Sequence, residues 1–185
     1  SEESKKDVED MAKQLIRTFR NRLQKITWLT DATKQKAITK LDTLKVKIGY
    51  PDTWPDYLDE ISIDPSKGMI ENIMHIQEAL NADAQQKLDA GVDKSKWITS
   101  PQTVNAFYNP QANDITFPAA ILQAPFYDKN ADYAQNLGGI GTVIGHEITH
   151  AFDTNGAGYD ENGNYNNWWT QEDMEQFTAR AQKVK

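Results

Sequence analysis

Gly138-Gly139-Ile140-Gly141-Thr142-Val143-Ile144-Gly145-His146-Glu147-Ile148-Thr149-His150-Ala151-Phe152-Asp153 is the stretch on which both the fold and the chemistry of this chain turn. It holds two histidines four residues apart, with a glutamate directly after the first. On an α-helix, positions i and i+4 lie on one face about one turn apart, so both imidazoles can reach the same small cation at roughly 2.0–2.1 Å. A carboxylate next to the first histidine then stands beside any water that the cation binds. This makes His146 and His150 candidate zinc ligands and Glu147 a candidate general base. The competing reading is an ordinary amphipathic helix with two surface histidines.

Composition narrows the class of protein around that helix. With 185 residues and 38% hydrophobic content, the chain can build one substantial core or two small ones, and it is too polar for a membrane protein. No window approaches the run of about 18 apolar residues that a spanning helix needs. The start, Ser1-Glu2-Glu3-Ser4-Lys5-Lys6-Asp7, lacks the apolar stretch of a signal peptide. A net charge of −7, with lysines interleaved among acids, argues against nucleic acid as a partner. The absence of cysteine rules out a disulfide scaffold and leans towards the cytoplasm, which for a bacterial protein leaves open an exported or membrane-anchored parent.

Apolar periodicity then divides the chain. Val8, Met11, Ala12, Leu15, Ile16, Phe19, Leu23 and Ile26 recur at three- and four-residue spacing, which predicts a long first helix. Thr30-Asp31 caps a second helical pattern that runs through Ile38, Leu41, Leu44 and Ile48 until Gly49-Tyr50-Pro51 ends it. Pro51 to Pro65, with three prolines, reads as an ordered surface loop. A third helix is expected over roughly 66–90, with Met69, Ile73, Ile76 and Leu80 as core and His75 exposed, without a ligand role. Past Trp97 the segments 103–108 and 114–117 flank a turn-rich Asn109-Pro110-Gln111-Ala112-Asn113 and predict a hairpin. Ala119-Ala120-Ile121-Leu122 is a short strand or one apolar turn. The motif helix should begin between Asn130 and Gly138 and end near Asp153, with Asn155-Gly156-Ala157-Gly158 as a glycine C-cap. Thr170 caps a last helix. The resulting fold class is α+β, mainly α, with a small antiparallel sheet and an HExxH helix. Residues 1–97 form a helical region before the site, and 98–185 form a partial catalytic region.

A hydrolytic zinc site commonly has three protein ligands and an open position, and the motif supplies two. Glu172 and Glu175 lie 22 and 25 residues after His150, a tempting distance for the third. They also sit in the first turn of a helix, where acids are explained by the helix dipole and by a Thr170 capping box reaching Asp173. Asp160-Glu161-Asn162-Gly163-Asn164 looks like half of a calcium loop. Tyr165 stands where glycine is required and no glutamate falls at the twelfth position, so no calcium site is expected.

The flanks carry a resemblance. Val104-Asn105-Ala106-Phe107-Tyr108, then Phe117-Pro118-Ala119-Ala120-Ile121-Leu122-Gln123-Ala124-Pro125-Phe126, then the zinc helix through Asp153, with Trp168-Trp169 after it and Ile48-Gly49-Tyr50-Pro51-Asp52 before, resemble the neprilysin family of zinc endopeptidases, the bacterial endopeptidase O proteins included. The resemblance covers most of the chain. It implies a thermolysin-like core with a Zn2+ cofactor, in which Glu147 activates the water that attacks a peptide carbonyl and then carries the proton to the leaving amine. It also implies that Asn105 and Ala106, on an edge strand, align the backbone of a peptide substrate. Ile121, Phe126, Thr142 and Val143 match a pocket for a large apolar side chain, and Asp153 matches an acid that orients a ligand imidazole. Plain core, a strand asparagine and a helix-end aspartate are the ordinary readings of the same residues.

Family members take a third ligand from a later Glu-Asn-x-x-Asp motif, which does not occur before Lys185. Glu71-Asn72-Ile73-Met74-His75 imitates its start, but lies upstream of the zinc helix and has histidine in place of the aspartate. The resemblance therefore implies a fragment of a three- to fourfold longer enzyme that cuts oligopeptides, whose remainder supplies the third ligand and a lid. Two alternatives stay open at this stage: a complete small metallopeptidase with Glu172 as third ligand, and a non-catalytic peptide-binding domain.

Overall fold

The apolar stripe of the first thirty residues forms a single helix in a computed structural model of the chain, which describes residues 1–54, 61–88 and 93–183. This helix, α1 (Glu2–Lys25), is capped by the Ser1 hydroxyl, which accepts from the Ser4 N–H. It is followed by α2 (Asp31–Asp42), β1 (Lys45–Gly49), α3 (Met69–Leu88), β2 (Phe107–Asn109), β3 (Asp114–Pro118), α4 (Tyr133–Gly138), α5 (Ile140–His150) and α6 (Gln171–Ala181). Short 3-10 turns occupy Ala119–Ile121 and Gly156–Gly158. The chain divides into two compact units, one made of Ser1–Tyr50 with Trp97–Lys185 and the other of Pro51–Lys96. The grouping joins α1, α2 and β1 to the motif helix, with one of its boundaries between residues 96 and 97.

The main departure from the sequence reading lies after α2. Leu44 and Ile48 continue the four-residue spacing of Ile38 and Leu41, yet the helix stops at Asp42 and residues 45–49 run as a strand. Lys45-Val46-Lys47-Ile48 also alternates polar and apolar, and β-branched Val46 and Ile48 favour the extended form. Pairing decides between the two patterns: β1 lies parallel to β3 in the register Lys45↔Asp114 to Gly49↔Pro118. The hairpin forms as expected, with β2 antiparallel to β3. The sheet is consequently mixed, in the order β1-β3-β2, and not purely antiparallel. Asn113, at φ 51°, turns the hairpin and ties it to α2, its Nδ2 donating to the Lys40 carbonyl at 2.9 Å and to Thr43 Oγ1 at 3.1 Å.

The expected single motif helix is two helices. Ile140 N–H donates to the Phe126 carbonyl at 2.6 Å, and a Cβ on Gly139 would lie 2.3 Å from that oxygen, so the backbone leaves helical geometry at Gly139 and restarts. On α5, Ile140, Ile144 and Ile148 follow at four-residue intervals and are buried, in a core shared with Val8, Met11 and Ala12 of α1 and Ile115 and Phe117 of β3. Each such side chain contributes about 1.5–3 kcal/mol on burial, enough to fix the helix by the face opposite its histidines. Phe152, just past α5, stacks on Phe19 of α1 with ring centroids 5.5 Å apart.

The second unit departs differently. Met69, Ile70, Ile73 and Met74 of α3 are exposed, although Met69 and Ile73 carry the spacing of a core face. The described residues of that unit build no second apolar layer to cover them. His75 is exposed, as expected. The predicted loop from Pro51 to Pro65 falls partly on 55–60, outside the described residues, as do the last two positions, 89 and 90, of the predicted third helix.

Candidate metal centre

The apolar face of α5 sets the orientation of the polar one. With Ile144 and Ile148 held in the core, His146 is turned out to solvent, His150 is half-buried, and Glu147 is buried beside them. The two imidazoles meet edge to face with centroids 4.5 Å apart, and their Nε2 atoms are 3.0 Å apart. The Oδ2 of Asp153 lies 2.6 Å from His150 Nδ1. A carboxylate can only accept, so Nδ1 carries the proton and Nε2 of the neutral ring presents its lone pair towards His146. Asp153 is itself held by the turn after α5: its Oδ1 accepts the N–H groups of Asn155 and Gly156, both at 2.9 Å.

Electrostatics sharpen the roles. Burial pushes the Glu147 carboxyl above its usual range, partly offset by the neighbouring His150 and His146. Burial would also raise Asp153, but the Gly156 N–H, the His150 ring and the Asn155 N–H together hold it below the ordinary carboxylate range. Asp153 therefore remains an anion beside the ring it orients.

The donor set suits a zinc ion. Ligand atoms of His146, Glu147 and His150 all lie within 4.8 Å of one another, and no other cluster of three or more such residues occurs among the described residues. Tetrahedral nitrogen ligands to zinc stand about 3.3 Å apart, so the 3.0 Å between the two Nε2 atoms requires an opening of only a few tenths of an ångström.

The remaining candidates are scattered around this centre. Glu172 is exposed in the first turn of α6 and Glu175 accepts from Gln171 Nε2 at 3.0 Å; neither joins the cluster. The capping box at Thr170 is present, its hydroxyl accepting from the Asp173 N–H and donating to Asp173 Oδ2. Asn105 and Ala106 directly precede the edge strand β2, where Asn105 is exposed, its side-chain oxygen accepting from the Ala106 N–H, and Ala106 is buried. Ile121 is buried in the main core, against which Phe126 and Val143 pack as partly buried residues, and the exposed Thr142 donates to the Gly138 carbonyl. The glycine C-cap does not form. The helix ends at Ala151 in a right-handed conformation, and the Gly156 N–H goes to Asp153 instead.

One charged residue escaped the sequence reading. Lys40 is 1% exposed, and its Nζ donates to the carbonyls of Gly156 and Tyr159, each at 2.6 Å. The available signal was its place on the stripe Thr33, Ala37, Lys40, Leu41, all of it buried. A lysine on a buried stripe requires partners.

A solvent-facing histidine pair on a helix, one ring oriented by an aspartate and a buried glutamate alongside, defines the HExxH class of metallopeptidase site. Comparison with known proteins agrees and is more specific. The profile of peptidase family M13 matches residues 105–185, and the profile for the amino-terminal region of the same family matches 1–51. A neutral endopeptidase of Lactobacillus helveticus is 46% identical over 180 residues, which cover 97% of this chain and 28% of that protein. Among solved structures, PepO from Lactobacillus rhamnosis superposes with a TM-score of 0.92 at 43% identity, over 98% of this chain and 29% of that one. The zinc metalloprotease ZMP1 of Mycobacterium tuberculosis, solved with an inhibitor, gives 0.87 at 42%, over 97% and 27%. The chain belongs to peptidase family M13, the family of the neprilysins. It spans about a third of the length of the curated relatives it matches. Among the described residues, no helix is long and apolar enough to cross a membrane.

Proposed function

We propose that this chain contributes the zinc-binding helix of an endopeptidase, with His146 and His150 as two ligands and Glu147 as the general base. The reading rests chiefly on one observation: the two Nε2 atoms converge at 3.0 Å, with Asp153 fixing the tautomer that turns the His150 lone pair inwards. The names of the relatives, neutral endopeptidase and zinc metalloprotease, support the reaction class.

A zinc ion held by the histidines would supply Lewis acidity, bringing the pKa of a water towards neutrality. The protein does the rest. Glu147 takes the proton of the attacking water on its carboxylate and returns it to the amine nitrogen as the peptide bond breaks. Asp153 keeps the His150 ring in place and makes it more basic. β2 is an edge strand of the sheet, and the chain entering it through Asn105 and Ala106 is the segment on which an extended peptide would pair, with Phe126 and the α5 residues Thr142 and Val143 lining a pocket for a large apolar side chain. On this reading the third ligand comes from outside these 185 residues, which is supported by Glu172 and Glu175 standing apart from the cluster among the described residues.

Zinc stoichiometry and hydrolysis of a fluorogenic oligopeptide, measured for this chain beside a longer polypeptide containing it, test the proposal. We expect weak zinc binding that depends on both histidines here, and tight binding with turnover in the longer protein. Strong turnover by this chain that survives His150→Ala would refute it.

A further inference from the structure

Lys40 buries an ammonium group behind the candidate metal centre, and the chemistry proposed for the site makes no use of it. We infer that Lys40 is a positioning residue for the metal centre: by gripping the Gly156–Tyr159 turn from behind, it fixes Asp153 against His150. The inference rests on the zinc reading given above.

The connection runs through one residue. The Gly156 carbonyl accepts from Lys40 Nζ at 2.6 Å, while the Gly156 N–H donates to Asp153 Oδ1 at 2.9 Å. The other oxygen of Asp153 holds His150 Nδ1. The second anchor of Lys40, the Tyr159 carbonyl, also accepts from Trp168 Nε1 at 2.9 Å, so both ends of the turn are pinned. The fit is close enough that a Cβ on Gly156 would stand 1.9 Å from the His150 carbonyl oxygen. Movement of this turn is thus passed directly to the end of α5.

The energetic argument favours a dedicated role over incidental packing. A buried ammonium loses much hydration, and its two direct acceptors are neutral carbonyls. Desolvation brings the Lys40 pKa down to about 8, against the opposing pull of Asp160, Asp153 and Glu161. A methionine would fill the same space without that cost. What the charge adds is polarisation of the Gly156–Ala157 peptide, which strengthens the Ala157 N–H as a donor to the Asp153 carbonyl at 2.8 Å, together with a favourable field on the Asp153 carboxylate. The rings of Tyr108 and Trp168, each 5.8 Å from Nζ, wall the ammonium in.

Zinc affinity, read by competition with a chromophoric chelator, separates the possibilities. If His150→Ala binds zinc as well as the unaltered chain, the zinc reading fails and takes this inference with it. Given binding that depends on His150, Lys40→Met is expected to weaken zinc affinity by about tenfold, the scale of effects transmitted through residues behind a ligand. In an Asp153→Ala background the same substitution should change it by less than about twofold, because the route is already cut. A folded Lys40→Met protein, judged by near-ultraviolet circular dichroism, that binds zinc as tightly as the unaltered chain would overturn the inference, as would an undiminished effect in the Asp153→Ala background. Should Lys40→Met not fold, the unaltered protein decides: zinc should shift the 15N resonance of the Lys40 ammonium, and should not do so in Asp153→Ala. An unmoved resonance in the unaltered chain overturns the inference equally.

Discussion

Asp153 faces His150 across 2.6 Å with one carboxylate oxygen and closes the turn after α5 with the other, accepting from Asn155 and Gly156. One side chain thus sets the tautomer of a candidate ligand and the geometry of the loop that follows. The two duties can be separated. In Asp153→Asn the amide oxygen can still accept from the turn, while its NH2 faces Nδ1 and forces the His150 proton onto Nε2, where it blocks coordination. Zinc affinity should fall by roughly 10- to 100-fold with little change in thermal stability, and Asp153→Ala should lose both. Chelator competition and thermal melts measure the two effects; unchanged affinity in Asp153→Asn would remove the orienting role.

Glu147 differs from its neighbours in being buried without coordinating geometry of its own being required. In a full-length family member carrying this sequence, Glu147→Gln should keep zinc near the unaltered stoichiometry and lower kcat by about 10²- to 10⁴-fold, the usual contribution of a general base. Metal analysis alongside peptide hydrolysis checks this, and near-normal turnover would exclude Glu147 as the base.

These residues were legible in the sequence because a helix converts spacing into position: 146, 147 and 150 follow from a 3.6-residue repeat alone. The same is true of α1 and of the Thr170 cap. Where two periods fit one segment, local pattern cannot choose: Leu44 and Ile48 fit a helix stripe, although pairing with β3 makes 45–49 a strand, with Leu44 just before it and Ile48 inside it. The break at Gly139 depends on the Phe126 carbonyl, thirteen residues earlier in sequence, and the burial of Lys40 depends on carbonyls more than a hundred residues away. Met69 and Ile73 have core spacing but no covering layer among the described residues of their unit. Periodicity states that a face is apolar; what covers it is a tertiary fact.

Gly156 offers a stability test of the turn. Its φ is unremarkable among L-residues, so the demand is for space: an added Cβ would collide with the His150 carbonyl oxygen at 1.9 Å and with the Ala151 carbonyl carbon at 2.8 Å, both backbone atoms. Gly156→Ala must displace the end of α5 or the turn, and a cost of about 1–3 kcal/mol is expected, typical of overpacking. Denaturant melts should show it together with weaker zinc binding. A variant as stable as the unaltered chain would mean that the turn relaxes freely.

Asp173 provides the pH dependence. It is fully buried, and it joins the starts of two helices: Oδ1 accepts the Thr30 N–H at 2.8 Å, and Oδ2 accepts the hydroxyls of Thr30 at 2.6 Å and Thr170 at 2.7 Å. Burial opposes its charge, but these hydrogen bonds outweigh it and bring the carboxyl down to about 2. Because the folded-state pKa lies below the unfolded value of about 3.9, the carboxylate stabilises the fold fully above about pH 4 and loses that contribution as pH falls from 4 towards 2. The difference corresponds to roughly 2–3 kcal/mol. Asp173→Asn should therefore destabilise the chain by about that amount at pH 7, and should flatten the acid limb of its stability profile between pH 4 and 2. Urea melts at a series of pH values read both effects, and an acid limb of unchanged slope in Asp173→Asn would show that other carboxylates carry it.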